Sequence, residues 1–259
     1  MPLRKLRRPL PLVAVFLVVA ALGATVAGAT AVVETRDVRI EVNASFEPRD
    51  LPAKSFAPVQ FSGSLNVSKP GGGQPPALDR VVLDFDRDGR LEVSGLPTCA
   101  PESIAQASVE EARRICKSAI VGTGRIEVLV ALPSGNLVPT GSPLTLFNGP
   151  RAGGKPTVIV HARTTVPTTQ TYAFTVPIEK RPGEFRYRAT ADIPPLAGGM
   201  GAITKISIKL SRQYTAGGKK RSYVSARCSD NILRSHGAFT FATGLTIEGV
   251  GLEKYCAQR

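Results

Sequence analysis

Three carboxylates at alternate positions make the segment DFDRDG at 84–89 a candidate for metal chemistry. Its carboxylates are Asp84, Asp86 and Asp88. Alternate carboxylates followed by a glycine are typical of the first half of a calcium loop, in which the oxygens converge on the ion. The second half does not match, because Gly95 stands at the twelfth position, where a bidentate glutamate belongs, and Glu92 stands at the ninth. The segment is therefore a calcium candidate that lacks half of its ligands.

A tight turn between two strands is the other interpretation of this segment. The flanking sequences VVLDF and RLEVS read as strands, and Asp88-Gly89 is a common turn pair. We favour this interpretation, because it explains the motif with ordinary structural chemistry. It predicts a β-hairpin whose folding does not require calcium, and it leaves a calcium-dependent adhesion module as an alternative function.

The two histidines, His161 and His236, are the other candidates for catalysis. No GxSxG, HExxH or CxxC motif accompanies them. His161 lies in the strand-like segment PTVIVHAR, where a structural hydrogen bond is the ordinary role. The pattern therefore favours neither a serine hydrolase nor a metalloenzyme, and it predicts no cofactor. A glycan-active enzyme with paired carboxylates from 84–92 stays the enzymatic alternative, since glycoside hydrolysis needs two carboxylates across a cleft.

Positive charge is the other chemical property of the chain, with 33 Lys+Arg against 20 Asp+Glu and a formal net charge of +13. The segments EFRYRATADI (184–193) and ITKISIKL (203–210) place basic side chains at alternate positions of predicted strands. Only PPLAGGMG separates these strands, so they can pair and share one basic surface, which the AGGKK turn extends. The predicted polyanion-binding residues are Arg186, Arg188, Lys205, Lys209, Lys219, Lys220 and Arg221.

This charge favours an anionic cell-wall polymer or glycan as the partner. No specific nucleic-acid partner is predicted, and the sequence does not indicate the oligomeric state. The competing explanation is that the charge serves solubility alone. We therefore expect a secreted or envelope-associated, non-catalytic protein that binds an anionic envelope polymer.

Residues 1–29 have the pattern of a signal peptide. Four basic residues at 4–8 precede an uncharged run at 12–33, and Ala27-Gly28-Ala29 fits a signal-peptidase site. Cleavage there would leave 230 of the 259 residues, beginning at Thr30. Loss of the four basic residues would lower the net charge from +13 to +9. The alternative is an uncleaved membrane anchor, because 22 uncharged residues can span a bilayer.

Four cysteines fit this exported location, since disulfides persist in oxidising compartments. Three pairings are possible. We predict the two local ones, Cys99–Cys116 and Cys228–Cys256. A zinc site is not favoured, because no two cysteines have the short spacing of zinc ligands.

Alternation of apolar and polar residues dominates the remaining chain. In RIEVLVAL (125–132), for example, the apolar side chains fall on one face of a half-buried strand. Further strands are predicted at 36–46, 57–67, 79–86, 90–94, 143–147, 156–163, 171–178, 221–228, 238–242 and 245–250. This pattern, punctuated by glycine and proline turns, predicts an all-β fold, an antiparallel β-sandwich of the immunoglobulin-like or jelly-roll-like kind, in one domain at 30–259.

One helix interrupts the strands. Ser108 and Glu111 form a capping box at the start of VEEARRICK. Val109, Ala112 and the pair Ile115/Cys116 share a face of this helix. With the predicted Cys99–Cys116 bridge at its two ends, the helical excursion is expected to form a clamped lid on one edge of the sandwich.

The segments LDFDRDGRLEVSGLPTC (83–99) and EEARRICKSAIVGTG (110–124) resemble a group of bacterial secreted proteins of unknown function. The resemblance covers most of 78–256, and its specific part is the LPTC stretch with the following helix and cysteine. Shorter segments continue it, namely LTLFNG (144–149), PTVIVHA (156–162), PPLAGGMG (194–201) and HGAFTFATG (236–244). The resemblance implies secretion, a β-rich body and the two cysteine pairs, but no activity and no site residues.

Overall fold

A computed structural model describes residues 30–259, which form strands in almost every segment where the sequence alternates. The predicted signal peptide, 1–29, lies outside the described residues. The one α-helix of the described part, α1, is Val109–Ile115, and none of its helices is long and apolar enough to cross a membrane. The strands are β1 (Thr30–Glu34), β2 (Arg39–Glu47), β3 (Asp50–Leu51), β4 (Ala57–Pro58), β5 (Gln60–Ser68), β6 (Leu78–Asp86), β7 (Gly89–Leu91), β8 (Ile120–Ala131), β9 (Leu137–Ala152), β10 (Lys155–Thr164), β11 (Gln170–Lys180), β12 (Phe185–Asp192), β13 (Gly201–Leu210), β14 (Gln213–Ala216), β15 (Lys219–Ser222), β16 (Val224–Ala226), β17 (Ile232–Phe241), β18 (Thr246–Tyr255) and β19 (Ala257–Gln258).

Twelve strands follow one another in a single antiparallel order, β1-β2-β5-β13-β8-β9-β10-β11-β12-β6-β17-β18. β11 joins the two halves of this order, because its first part pairs with β10 and its end pairs with β12. The halves enclose the main core, to which the first contributes Val128 and Ile203 and the second Phe239 and Leu252. The all-β antiparallel prediction is confirmed.

The two end strands of this order lie close together. Ala31 of β1 belongs to the same core cluster as Val250 of β18. Beside them, the Lys254 Nζ of β18 donates to the Asn43 Oδ1 of β2 at 3.3 Å. The folded-over sheet therefore brings its first and last strands to the same side of the molecule.

The two strands of the predicted basic patch, β12 and β13, are not neighbours, so this part of the prediction is wrong. β12 pairs with β11 and β6, whereas β13 pairs with β5 and β8. The connection between them is a crossover between the two halves of the sheet. Leu196 and Ala197 of this connection are buried in the main core, and the Tyr172 hydroxyl accepts a hydrogen bond from the Ala197 N–H.

Both predicted disulfides are present, with Cα–Cα distances of 5.5 Å for Cys99–Cys116 and 6.0 Å for Cys228–Cys256. The first one clamps the helical excursion, which has both hydrogen bonds of the predicted capping box. This excursion covers the outer face of β9, β10 and β11, where Phe147 and Ile159 are fully buried beneath it. The predicted position at an edge of the sandwich is therefore wrong, and α1 packs with Ala112 rather than Ile115, whose exposure is 51%.

The DFDRDG segment forms a corner, and the predicted hairpin is wrong. β6 pairs with β12 and β17, but β7 leaves the large sheet and pairs with β16 in a three-stranded sheet of order β4-β16-β7. The chain changes sheets at Asp88, whose C=O accepts the Arg227 N–H and whose own N–H donates to an Asp86 oxygen. These bonds fix the corner without any ladder between β6 and β7.

A short hairpin of β14 and β15 follows β13 and presents the AGGKK turn. Gly217 and Gly218 form its two-residue turn with φ of 58° and 73°, a conformation that glycine adopts without strain. The Tyr214 hydroxyl donates to the carbonyl oxygens of Glu92 and Ser94. The hairpin is thereby tied to the chain that leaves β7.

Candidate anion-binding site

The aspartates of the predicted calcium motif bind different donors. Both oxygens of Asp84 accept hydrogen bonds from the guanidinium of Arg188, at 2.7 and 2.6 Å. The Asp86 oxygens accept the N–H groups of Asp88 and Arg234, each at 2.8 Å. Within residues 30–259, no group of three or more His, Cys, Asp or Glu side chains is arranged to hold a metal ion.

The third aspartate, Asp88, is a buried structural carboxylate with 1% of its surface exposed. Its oxygens accept from the Arg227 Nε–H at 2.7 Å and the Ser229 N–H at 2.8 Å. Burial alone would raise the pKa of Asp88, but these two partners outweigh it and lower the pKa. Asp86 forms no ion pair within residues 30–259, and burial raises its pKa. The motif therefore joins β6 to β12, β17 and the segment around Cys228.

The two histidines lie in different surroundings, one buried and one exposed. His161 is fully buried beneath the helical excursion, and its Nε2 lies 3.2 Å from the Ala107 O. Burial lowers the pKa of His161, which favours the neutral ring. His236 is exposed and packs against the Phe185 ring, with 4.6 Å between ring centroids.

A surface cavity of about 840 Å³ lies at one end of the sandwich. It is lined by the β1–β2 turn, the 69–77 loop, the end of the β12–β13 crossover and the β17–β18 turn. Its charged lining residues are Arg36, Lys69 and Asp37. Glycoside hydrolysis needs two carboxylates across a cleft. Among the described residues, this cavity is lined by one carboxylate, Asp37.

The predicted polyanion-binding residues are distributed over three places. Arg188 is paired with Asp84, and Arg221 lies 3.5 Å from a Glu92 oxygen, so both have structural partners. Lys205 and Lys209 are exposed on β13, while Lys219 and Lys220 are exposed at the β14–β15 turn. These four lysines form no ion pair within residues 30–259. The structure does not place Arg186 with any of them.

Arg186 instead belongs to a cluster that the sequence did not reveal. Three guanidinium groups lie over the ring of Phe56, with their carbon atoms 5.7, 5.3 and 5.2 Å from its centroid for Arg90, Arg186 and Arg227 respectively. At these distances the cations interact favourably with the ring electrons. We call Arg90, Arg186 and Arg227 the arginine triad.

The β4-β16-β7 sheet positions most of this cluster. Its inner face carries Ala57 and Ala226, which pack in the core beside the Cys228–Cys256 bridge. Because side chains alternate along a strand, the neighbouring positions Phe56 and Arg227 point to the outer face, as does Arg90, whose register partner is Ser225. Arg186 reaches the same ring from β12 of the large sheet.

Part of this site had a signal in the sequence. The predicted strand at 90–94 alternates Arg90 and Glu92 against Leu91 and Val93, which marks Arg90 as an outward side chain. No local pattern distinguishes Phe56, since the preceding 52–55 has no strand alternation. The convergence itself depends on tertiary structure, because its four members come from four separate segments.

No family model, no curated protein and no solved structure matches the chain. The resemblance to bacterial secreted proteins therefore stays an expectation, and the functional argument rests on the geometry of the described residues.

Proposed function

We propose that the chain is an exported, envelope-associated protein whose domain at 30–259 binds an anionic polymer of the cell envelope and catalyses no reaction on it. Two disulfides support export, because such bridges are typical of proteins that fold in oxidising compartments. The net charge of +9 expected after signal cleavage supports an anionic partner.

The observation that carries the proposal is positive charge that the fold leaves unpaired. Lys205, Lys209, Lys219 and Lys220 are exposed without ion pairs in the described part of the chain. Arg186 likewise contacts Phe56 and forms no ion pair within residues 30–259. A polymer with repeated negative charges can bind several such cations at once, which multiplies weak individual contacts. A charge that serves solubility alone is the competing explanation.

Co-sedimentation of the purified protein with isolated cell walls, across a series of NaCl concentrations, tests the proposal. We expect strong binding at 0.1 M that declines steeply towards 1 M, because the Debye length falls from about 10 Å to about 3 Å over this range. The quadruple variant with Lys205, Lys209, Lys219 and Lys220 changed to Gln is expected to bind less. The matched quadruple change to Arg keeps the charges and is expected to bind as the unchanged protein does.

Absence of wall binding at low salt would contradict the proposed function. Equal binding by the Gln and Arg quadruple variants would show that the four lysines do not contribute to wall binding. N-terminal sequencing tests export separately, with Thr30 as the expected first residue. Full-length protein in the membrane fraction, with Arg4 still present, would favour an uncleaved anchor.

A further inference from the structure

The arginine triad gathers three positive charges around one phenyl ring, an arrangement that favours binding of a multivalent anion. A phenyl ring has two faces, so at least two of the three guanidinium groups over Phe56 share one face. Like charges gathered around one ring repel each other, and a counter-charge beside them weakens this repulsion. Contact with one ring does not remove this repulsion, because the ring is neutral.

The carboxylates near the triad do not balance its charge. Asp88 is bound to Arg227 at 2.7 Å. Glu92 is shared, since it lies 3.2 Å from Arg90 and 3.5 Å from Arg221. Arg186 has no ion pair within residues 30–259. The triad with Arg221 therefore has four positive charges against the two carboxylates of Asp88 and Glu92.

Most N–H donors of the triad also have no acceptor within residues 30–259. Across its three guanidinium groups, two N–H donors are used within the described residues, by Arg90 to Glu92 and by Arg227 to Asp88. Arg90 has 48% of its side chain exposed and Arg227 has 28%, so solvent and solutes reach both groups. The triad is thus an accessible set of planar donors with spare hydrogen-bonding capacity.

We propose that Arg90, Arg186 and Arg227 form a binding site for a phosphate group, and, resting on the proposed function, that the envelope polymer bound by this protein carries phosphate. Guanidinium groups bind phosphate and carboxylate oxygens in pairs. A carboxylate has two oxygens and suits one arginine, whereas a phosphate offers oxygens in several directions and can bridge converging arginines. The ring of Phe56 is covered by cations, so it holds the arginines in place and does not serve as a stacking surface for a base or a sugar.

Calorimetric titration with inorganic tripolyphosphate at low salt tests this site. The main variant is Arg186→Gln, because Arg186 has no carboxylate partner within residues 30–259 whose loss would complicate the result. The matched control is Lys117→Gln, which removes one exposed charge that forms no ion pair within residues 30–259 and belongs to neither proposed binding surface. We expect Arg186→Gln to weaken tripolyphosphate binding about tenfold, the effect of losing a charge-assisted hydrogen bond, and Lys117→Gln to weaken it less than about twofold.

A second variant, Arg186→Lys, keeps the charge but not the planar donors and is expected to bind with intermediate affinity. If thermal melting shows that Arg186→Gln does not fold, the tripolyphosphate affinity of Arg186→Lys is measured in its place. Equal weakening by Arg186→Gln and Lys117→Gln would overturn the site, since it would indicate diffuse attraction, while the proposed function would stand. No binding of tripolyphosphate, or binding of oligogalacturonate in its place, would overturn the assignment to phosphate. Tripolyphosphate binding that depends on Arg186, in a protein that does not bind walls, would support the site and contradict the proposed function.

Discussion

The face beneath the helical excursion and the outer face of the β4-β16-β7 sheet use similar side chains in opposite ways. Beneath the excursion, the Arg113 Nε–H donates to the Thr145 hydroxyl, and His161 is enclosed against the Ala107 carbonyl. Over the small sheet, the arginine triad surrounds Phe56, and most of its N–H donors have no acceptor in the part of the chain that the structure describes. Each region lies beside one of the two disulfides.

The difference shows that a basic or titratable side chain becomes available for binding only where no segment folds over it. The excursion supplies carbonyl oxygens and apolar cover to β9, β10 and β11, so their outer face becomes a second core. The triad stays partly exposed, at 48% for the Arg90 side chain and 28% for that of Arg227, so its charge remains accessible. The first region is therefore expected to contribute stability, and the second is proposed to contribute binding.

The largest expected effect is loss of the bridge that clamps the excursion. The double variant Cys99→Ser/Cys116→Ser is expected to lose about 3 kcal/mol of unfolding free energy, as estimated for a loop of this length. Hydrogen exchange at Phe147 and Ile159 should accelerate, because the cover over them opens locally. The double variant Cys228→Ser/Cys256→Ser, measured alongside by urea unfolding, should lose similar stability. Unchanged exchange at Phe147 in the first variant would show that the bridge does not hold the cover.

Removal of the Asp88 carboxylate is expected to have the next largest effect. Asp88→Ala should lower the unfolding free energy by about 2 kcal/mol, because it leaves Arg227 and the Ser229 N–H without their acceptor. This value is below that for a fully buried pair, since Arg227 is partly exposed. Asp192→Ala, which breaks the exposed pair with Arg80, is the control and should cost less than about 1 kcal/mol. Equal losses in the two variants would contradict the structural role of Asp88.

A pH effect on the first region is expected from His161. Burial lowers the pKa of His161 in the folded protein below the ordinary value of 6.5, so the unfolded chain binds its proton more readily. The stability that the neutral ring contributes is present above pH 6.5 and is lost as the pH falls towards the folded pKa. Urea unfolding at a series of pH values should show this loss, and His161→Asn should reduce it. An identical pH profile for His161→Asn would contradict the assignment.

The corner beside the second region is expected to show the opposite sign. Burial raises the pKa of Asp86 above the ordinary value of 3.8, so the folded protein binds this proton more readily. The stability contributed by protonated Asp86 is present below pH 3.8 and is lost as the pH rises through the folded pKa. In the same unfolding series, Asp86→Asn is expected to be less destabilised by a rise in pH across this window than the unchanged protein. A steeper dependence in Asp86→Asn would show that the sign is wrong.

The smallest expected effect is that of calcium on the melting temperature. The oxygens of Asp84, Asp86 and Asp88 are bound by arginines and backbone N–H groups, so we expect neither chelator nor millimolar calcium to shift it. A site filled at 100 times its dissociation constant would add about 2.7 kcal/mol, which corresponds to a rise of several degrees. Such a rise, measured by scanning calorimetry, would contradict the structural interpretation of the motif.

Features that depend on residues close in sequence were predicted correctly. Alternation in 125–132 is local, and it correctly places Ile126, Val128 and Val130 in the core. The capping box joins Ser108 to a residue three positions away, and each disulfide closes a short loop. In each case the interacting groups are brought together by the strand, helix or loop that contains them.

The strand order and the arginine triad could not be predicted in this way. Whether β12 and β13 pair depends on the burial of Leu196 and Ala197, which directs the connection across the core. Which sheet β7 joins depends on the bonds at Asp88, whose partner Arg227 is far away in the sequence. Two strands flanking an Asp-Gly turn look the same in sequence whether they pair with each other or enter different sheets.

The approach of β1 to β18 has a consequence for encounters between molecules. End strands of an open sheet have unpaired N–H and C=O groups, to which a strand of another molecule can add. Here the two ends approach each other, and the contact between Lys254 and Asn43 spans the gap between β18 and β2. The space that an incoming strand would need is partly filled by the molecule itself, which lowers the risk of edge-to-edge aggregation at a large antiparallel sheet.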